Sequence, residues 1–592
     1  MKTKLLLALN FVVLIVGTST ADDRTIKEFK QYAAERVSAL SESQLDAFAA
    51  AVDKDGDGKI SDAEFAQRRS ALEKLAANQT PPAKKASKEM KAAKEEQPEP
   101  VHEVVVIPAR VETDTYPILL ITADSIAKSW QPYADWKTQS GRATKIITVG
   151  QIAEEYEADI IQEKIRLCVR DHIDNHGARW VVLGGDCLPG GKGLVPGGHT
   201  TVHAQERKGI PTDIVYLSET NWDADDDGIY GEWEDDRDAI SYPDGSVGLG
   251  RIPVRTVEDV AAFTEKVIAY ESRYPKTEFA QRMVYTCTDR PAYPKVLNSW
   301  DGFVSESWKN AEVDRFFSQK TPWDDDDEPG SYELSANNLV KLVNDKTTGK
   351  LHIHGHGHLP SWGLEDSMFS AKHAAKLSND GAYPLITTVS CNTGEYDSAK
   401  DPSIVESIIR QPKGGSVAVV APVRTGKPHF HKRSDMRLMI KDGKLDGTTQ
   451  TMTRYWCHGL GEDVTTGHAM MMAKADMSKD ARKSPGYHLC ICELNLLGDP
   501  TLDMRAAAPK TPEIKVAGAI PVGKSKLEIT TGAPNCTVCV WKDKEVYSVT
   551  QADEKGRASV QIAPSSLGPL TITASGPSLN TVSVSAKVTH LE

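Results

Sequence analysis

Two apolar, β-branched runs separated by a helical stretch constrain this chain more than any other feature. The first, KLHIHGHGH at 350–358, alternates apolar residues and ends in glycines around His356; the second, YPLITTVSCNTGEYD at 383–397, stops at Cys391. Between them SAKHAAKLSN at 370–379 has helical composition, so the segment predicts strand, helix, strand. A crossover of that kind is nearly always right-handed and lays its two strands parallel in one sheet. Both strands then end at the same edge, with His356 and Cys391 side by side. Open α/β sheets take their ligands at that edge.

That placement has chemical meaning. A cysteine attacks as its thiolate, and a neighbouring imidazole can favour the thiolate and later protonate a leaving amine. Glycine beside His356 lets backbone N–H groups come close to a substrate carbonyl. Gly357 N–H and Cys391 N–H are therefore the candidate oxyanion hole.

The Gly-His-Gly end of one strand, the Ser-Cys-Asn end of the next and the length between them resemble the gingipain-type cysteine peptidases, which share a caspase-like α/β fold. Other pieces agree in order: ADWKTQ at 134–139 followed by Gly141, VVLGGD at 181–186, VGLGRIP at 247–253, GGSVAV at 414–419 and LLGDPTL at 496–502. Together they cover about residues 115–505. The resemblance implies an endopeptidase acting on protein or peptide substrates, with no organic cofactor. It further implies an acid that orients the histidine near the end of the strand at 282–288, and a second acid slightly later that can read a basic side chain. The nearest carboxylates here are Asp289 and Asp301, in a local pattern that departs from the family because Arg290 and Pro291 follow Asp289.

The remaining chain divides by composition. Its 592 residues suggest several domains, and a net charge of −13 argues against a nucleic-acid partner. Residues 1–21 have the form of a secretory signal peptide, with Lys2 and Lys4, an apolar run and small residues at 19–21. The mature protein is expected to be secreted, periplasmic or at the cell surface, with no transmembrane segment. Residues 22–77 form a helical module around DKDGDGKISDAE at 53–64. This fits an EF-hand loop, with Asp53, Asp55 and Asp57 as carboxylate ligands, Lys59 offering its carbonyl and Glu64 closing the site on Ca2+. A single loop wants a companion; a partner molecule or a degenerate loop within 24–41 are both open. Residues 78–114 are a linker rich in Ala, Lys, Glu and Pro that leads into the α/β region.

From 115 to 508 helical and strand patterns alternate, predicting a parallel sheet flanked by helices. A second acidic loop lies within it, DADDDGIYGEWE at 223–234, with Asp223, Asp225, Asp227, the carbonyl of Ile229 and Glu234 as Ca2+ ligands, and Glu232 able to replace Glu234. The preceding Val215-Tyr-Leu217 reads as extended, so this is a calcium loop embedded in the enzyme fold. Residues 509–592 carry short β-rich runs separated by Gly, Pro, Asn and Ser, as in an immunoglobulin-like sandwich. The nine cysteines are an odd number, which leaves a thiol for catalysis; Cys490 with Cys492 and Cys536 with Cys539 read as buried thiols or local disulfides.

Two other function classes fit parts of the same residues. Four alternating histidines, His352 to His358, could serve a metal-dependent hydrolase, though no carboxylate lies among them and Cys391 would have no role. A non-catalytic calcium-binding adhesion protein would require the cysteine–histidine pair to be accidental.

Overall fold

The computed structural model describes residues 24–25, 59–60, 104–188, 192–201, 209–275, 277–288, 308, 312–317, 334–364, 367–398, 402–426, 447–461, 464–517 and 519–590. The chain forms two units, 1–101 and 102–592. In the first unit, Lys59–Ile60 of the predicted EF-hand loop pair antiparallel with Arg24–Thr25, inside the stretch left open for a companion loop. The ligand positions Asp53, Asp55, Asp57 and Glu64 lie outside the described residues.

The second unit is built on ten strands: β1 Ile118–Thr122, β2 Thr144–Thr148, β3 Trp180–Gly184, β4 Gly248–Ile252, β5 Arg282–Cys287, β6 Glu312–Phe317, β7 Lys350–His354, β8 Leu385–Thr388, β9 Ala418–Pro422 and β10 Leu494–Gly498. Their order across the sheet is β6-β5-β7-β8-β9-β10-β4-β3-β1-β2. Strands β5 to β9 run parallel to one another, as do β1 to β4, while β10 is antiparallel to β9 and parallel to β4. Every residue of β1, β4, β7, β8, β9 and β10 is buried, as expected of strands covered by helices on both faces.

Local sequence sets the covering helices. Val257–Ser272 begins with a capping box in which Thr256 and Asp259 satisfy each other's backbone N–H groups, and Ile404–Ile409 begins the same way with Ser403 and Glu406. Motifs far apart in sequence meet in buried ion pairs. Lys137 lies 2.8 Å from Glu271 and 3.0 Å from Asp499, joining the ADWKTQ and LLGDPTL segments. Arg251 of VGLGRIP makes two 2.7 Å bonds to Asp213 and donates to the carbonyls of Gly185, Val195 and Pro196.

Residues 515–589 form sheets of three and five strands around a separate apolar core that includes Leu527, Ile529, Val538, Val540, Val560 and Ile572. Burial alternates strictly along Arg557–Ile562, the period of a strand with one face in the core. A strand at Val546–Gln551 adds to those expected from sequence. This β-rich tail is packed onto the α/β region: Ser575 Oγ donates to the Ser140 carbonyl at 2.8 Å. Gly141, at φ 85°, leaves no room for a side chain, since a Cβ there would lie 2.7 Å from Thr537 Cγ2.

Candidate active site

Strands β7 and β8 pair in parallel, Lys350 opposite Leu385 and Ile353 opposite Thr388, so both end at one edge of the sheet. The strand nature of β7 stops at His354, and the two glycines then turn the chain. Gly357–His358 enters a small antiparallel sheet with Ser361–Leu364 and Ser367–Ser370, which the sequence pattern had assigned to a simple crossover. The expected helix over 370–379 is correspondingly short, Ala371–Ala374.

The hairpin sets Gly357, the residue after His356, against the backbone of Cys391. Gly357 sits directly on the chain at Ser390 and Cys391: a Cβ built on it would lie 2.5 Å from the Cys391 carbonyl oxygen and 2.7 Å from the Ser390 carbonyl carbon. Gly363 N–H donates to the His356 carbonyl at 2.9 Å, and Gly357 faces Trp362. In an antiparallel ladder bonded and non-bonded pairs alternate, so Gly357 N–H turns away from the hairpin, free for another acceptor. His356 is exposed and Cys391 half-buried, which leaves both reachable by a substrate.

The first turn of Ile404–Ile409 ties the two loops together. Its Ile404 N–H donates to the Leu359 carbonyl at 2.8 Å, just past the histidine hairpin, and its Val405 N–H to the Thr393 carbonyl at 3.3 Å, just past the cysteine. These are N–H groups that a helix cannot satisfy internally. Thr393 Oγ1 also donates to the Ser390 carbonyl at 2.8 Å. Cys391 Sγ lies 3.8 Å from the Gly426 carbonyl oxygen. Burial pushes the Cys391 thiol up and the Glu493 carboxylate adds to this, while the backbone at Gly426 and at Cys391 itself pulls the other way. The net effect of these surroundings favours the neutral thiol at Cys391.

The four alternating histidines divide between two environments. His352 and His354 are buried within the sheet, His352 Nδ1 lying 2.8 Å from Thr387 Oγ1, and burial followed by His354 holds the His352 imidazole well below its ordinary range. His356 and His358 are exposed. Among the described residues the one carboxylate, thiol or imidazole group close enough to share a cation is Asp223, Asp225 and Asp227, whose ligand atoms lie within 4.8 Å of one another.

That acidic loop is folded on itself, with Asp223 accepting from Asp227 N–H and Gly228 N–H at 3.1 Å each, and Asp227 accepting from Ile229 N–H at 2.8 Å. Glu234 is exposed. The buried Asp236, which motif spacing does not single out, braces the loop by accepting from Ala224 and Glu232 N–H groups at 2.5 and 3.0 Å. Desolvation and then the Asp227 charge raise the Asp225 carboxyl, the condition a cation relieves. The donor set of hard carboxylate oxygens suits Ca2+. The flank differs from expectation, because residues 213–217 form a 3₁₀ turn rather than a strand. Its Asp213 forms a buried ion pair with Arg251 of β4 at 2.7 Å.

Asp289 and Asp301 lie outside the described residues. The eight described cysteines are free thiols, and Cys490, Cys492, Cys536 and Cys539 are buried, so of the two readings offered for these pairs the buried thiols hold and the local disulfides do not. Sequence reasoning missed Arg424 and Asp397, which join at 2.7 Å beside the cysteine loop. No short motif marks them, since 27 residues separate them in the chain.

Helices on both faces of a parallel-rich sheet, with histidine and cysteine at the ends of adjacent strands, are the caspase-like arrangement that the motifs implied. The model of peptidase family C25 matches residues 112–505, and the chain belongs to that family. Gingipain R2 of Porphyromonas gingivalis is 22% identical over 312 residues, which are 51% of this chain and 36% of that protein; the match thus spans about a third of the curated relative's length. The structure is similar to the complex of Porphyromonas gingivalis RgpB pro- and mature domains, with a TM-score of 0.58 at 18% identity, covering 80% of this chain and 100% of that one. It is also similar to the Arg-specific cysteine proteinase gingipain R, again with a TM-score of 0.58 and 18% identity, covering 82% and 100%. At such identities the likeness speaks to the fold. No helix among the described residues is long and apolar enough to cross a membrane.

Proposed function

We propose that this protein is an exported cysteine endopeptidase with Cys391 as nucleophile and His356 as its acid–base partner. The observation that carries the reading is Gly357, which sets the histidine hairpin directly against the backbone of Ser390 and Cys391. As Cys391 Sγ bonds to the substrate carbonyl carbon, its proton passes to His356, and the carbonyl oxygen takes the electron pair beside Gly357 and Cys391 N–H groups. The C–N bond then breaks, His356 gives its proton to the leaving amine and a thioester remains. Water, losing a proton to His356, attacks the thioester, the C–S bond breaks and the thiol is restored.

Asp289 is the candidate for orienting His356, and Asp301 for reading a basic substrate side chain. Calcium is a structural ion in this reading, held by Asp223, Asp225, Asp227, the Ile229 carbonyl and Glu234, and by the EF-hand loop, which also offers a surface for a partner. The signal-like residues 1–21 support export. The test is hydrolysis of a mixed peptide library by residues 22–592 in calcium buffer. Cleavage is expected, and it disappears in Cys391→Ala and after alkylation. Cleavage that survives both rejects the reading.

A further inference from the structure

The chain leaves Cys391 through Asn392, which has φ 60°, a left-handed turn that asparagine adopts more readily than other side chains with a Cβ. Arg424 holds this turn at both ends. Its carbonyl accepts from Asn392 N–H at 2.8 Å, and its guanidinium makes two parallel bonds, 2.8 and 2.7 Å, to the carboxylate of Asp397. The same guanidinium donates to the carbonyls of Gly209 and Val423 at 3.0 and 2.9 Å and lies 3.8 Å from Glu395, whose carboxylate accepts from Asn392 Nδ2 at 3.0 Å. One arginine thus fixes the span between the residue after the cysteine and the carboxylate five residues beyond it.

A second element closes the network. His199 Nε2 lies 3.6 Å from Asp397, and its Nδ1 lies 3.0 Å from the Gly197 carbonyl oxygen. A carbonyl only accepts, so Nδ1 carries a proton and Nε2 is the ring nitrogen that faces Asp397. The Arg251 guanidinium also lies 4.9 Å from the Tyr396 ring. The loop after Cys391 is therefore held at Tyr396 as well as at Asp397. A bidentate arginine–carboxylate pair sets angle as well as distance.

We propose that Arg424, Asp397 and His199 are positioning residues that fix the direction of Cys391 Sγ toward His356 and the substrate carbonyl. The inference rests on Cys391 being the nucleophile. Arg424→Lys keeps the charge and the backbone carbonyl but loses the two-pronged geometry, and Asp397→Asn keeps the shape but loses the charge.

The experiment measures kcat and KM of full-length native, Arg424→Lys, Asp397→Asn, His199→Gln and Cys391→Ala chains on a peptide amide drawn from the library. Active sites are counted by iodoacetamide labelling of Cys391, and folding is followed by thermal unfolding. The expected result is a fall in kcat per labelled site of about 10- to 100-fold, as for a displacement approaching 1 Å, with KM within about threefold. A purely structural role would lower the number of labelled sites and leave kcat per site alone. If the first two variants do not fold, His199→Gln, which leaves the arginine fork intact, decides by whether kcat per site falls. Native kcat per site in the folded variants overturns the inference while leaving the peptidase reading in place. Cleavage by Cys391→Ala rejects that reading itself.

Discussion

Replacing Gly357 with alanine tests the geometry on which the site depends. The new methyl would stand 2.5 Å from the Cys391 carbonyl oxygen, 2.7 Å from the Ser390 carbonyl carbon and 2.7 Å from Thr393 Cγ2. These are roughly 0.7–0.9 Å inside an ordinary contact of ~3.4 Å, and two of the three atoms are backbone that cannot swing aside. The hairpin bearing His356 must therefore move away from Cys391 by most of an ångström. A displacement of about 1 Å costs about 100-fold in rate, or about 2.7 kcal/mol in transition-state free energy. Overpacking should cost about 1–3 kcal/mol of stability as well. Gly355→Ala is the comparison, because its methyl meets the Thr288 side chain at 2.8 Å, with its next contact at 3.1 Å. The assay is kcat/KM on one peptide amide together with the urea midpoint of each variant. A Gly357→Ala chain within about threefold of native activity would refute the close approach of the two loops as a requirement for catalysis.

Other consequences follow from named contacts. Burial alone would raise the Asp397 carboxyl, but Arg424 and His199 more than reverse it and hold it far below the ordinary range. Its stabilising contribution is complete above the unfolded value of about 3.9 and is lost as pH falls below it. The difference in melting temperature between native and Asp397→Asn chains should thus hold above about pH 4 and shrink steadily as pH falls below it; a difference that stays constant down to about pH 3 would contradict this. Asp213→Ala strands Arg251, fully buried with its two 2.7 Å bonds, and should destabilise the fold by about 3–5 kcal/mol in urea; a loss below about 1 kcal/mol would show the pair to be dispensable. Calcium should raise the melting temperature, with Asp223→Ala and Asp53→Ala each removing part of the gain; identical gains in both variants would argue against cation binding at these loops. Alkylation of the folded chain should label the half-buried Cys391 and Cys457 first, while burial pushes Cys168, Cys187, Cys492 and Cys539 up to about 12 and protects them. Early labelling of those four, read by peptide mass, would contradict their burial.

The sheet was legible where its strands are uninterrupted apolar runs. ILLIT, WVVLG and LITT are buried on both faces, so hydrophobicity alone marks them, and the parallel pairing of 350–354 with 385–388 follows from the handedness of crossovers. The glycines around His356 announced a break but not its form, because the hairpin at 357–370 draws on Trp362 and Phe369, whose burial depends on the surrounding fold. The segment at 215–217, read as extended, has the apolar content of a strand but belongs to a 3₁₀ turn whose Asp213 is paired with the buried Arg251, 38 residues away. Arg424, Asp397 and His199 were invisible for the same reason. Each matters through a contact across the fold, whereas Asp223, Asp225 and Asp227, which the structure brings within 4.8 Å of one another, lie within five consecutive residues and were readable as a motif.

The most direct test of the account is to trap the acyl intermediate. The chain is mixed with a peptide ester that acylates quickly, quenched in acid, and its peptides are weighed. The account predicts an added acyl mass on the Cys391 peptide in native protein, slower formation in His356→Ala and none in Cys391→Ala. An adduct on another residue, or hydrolysis by Cys391→Ala at the native rate, would contradict it.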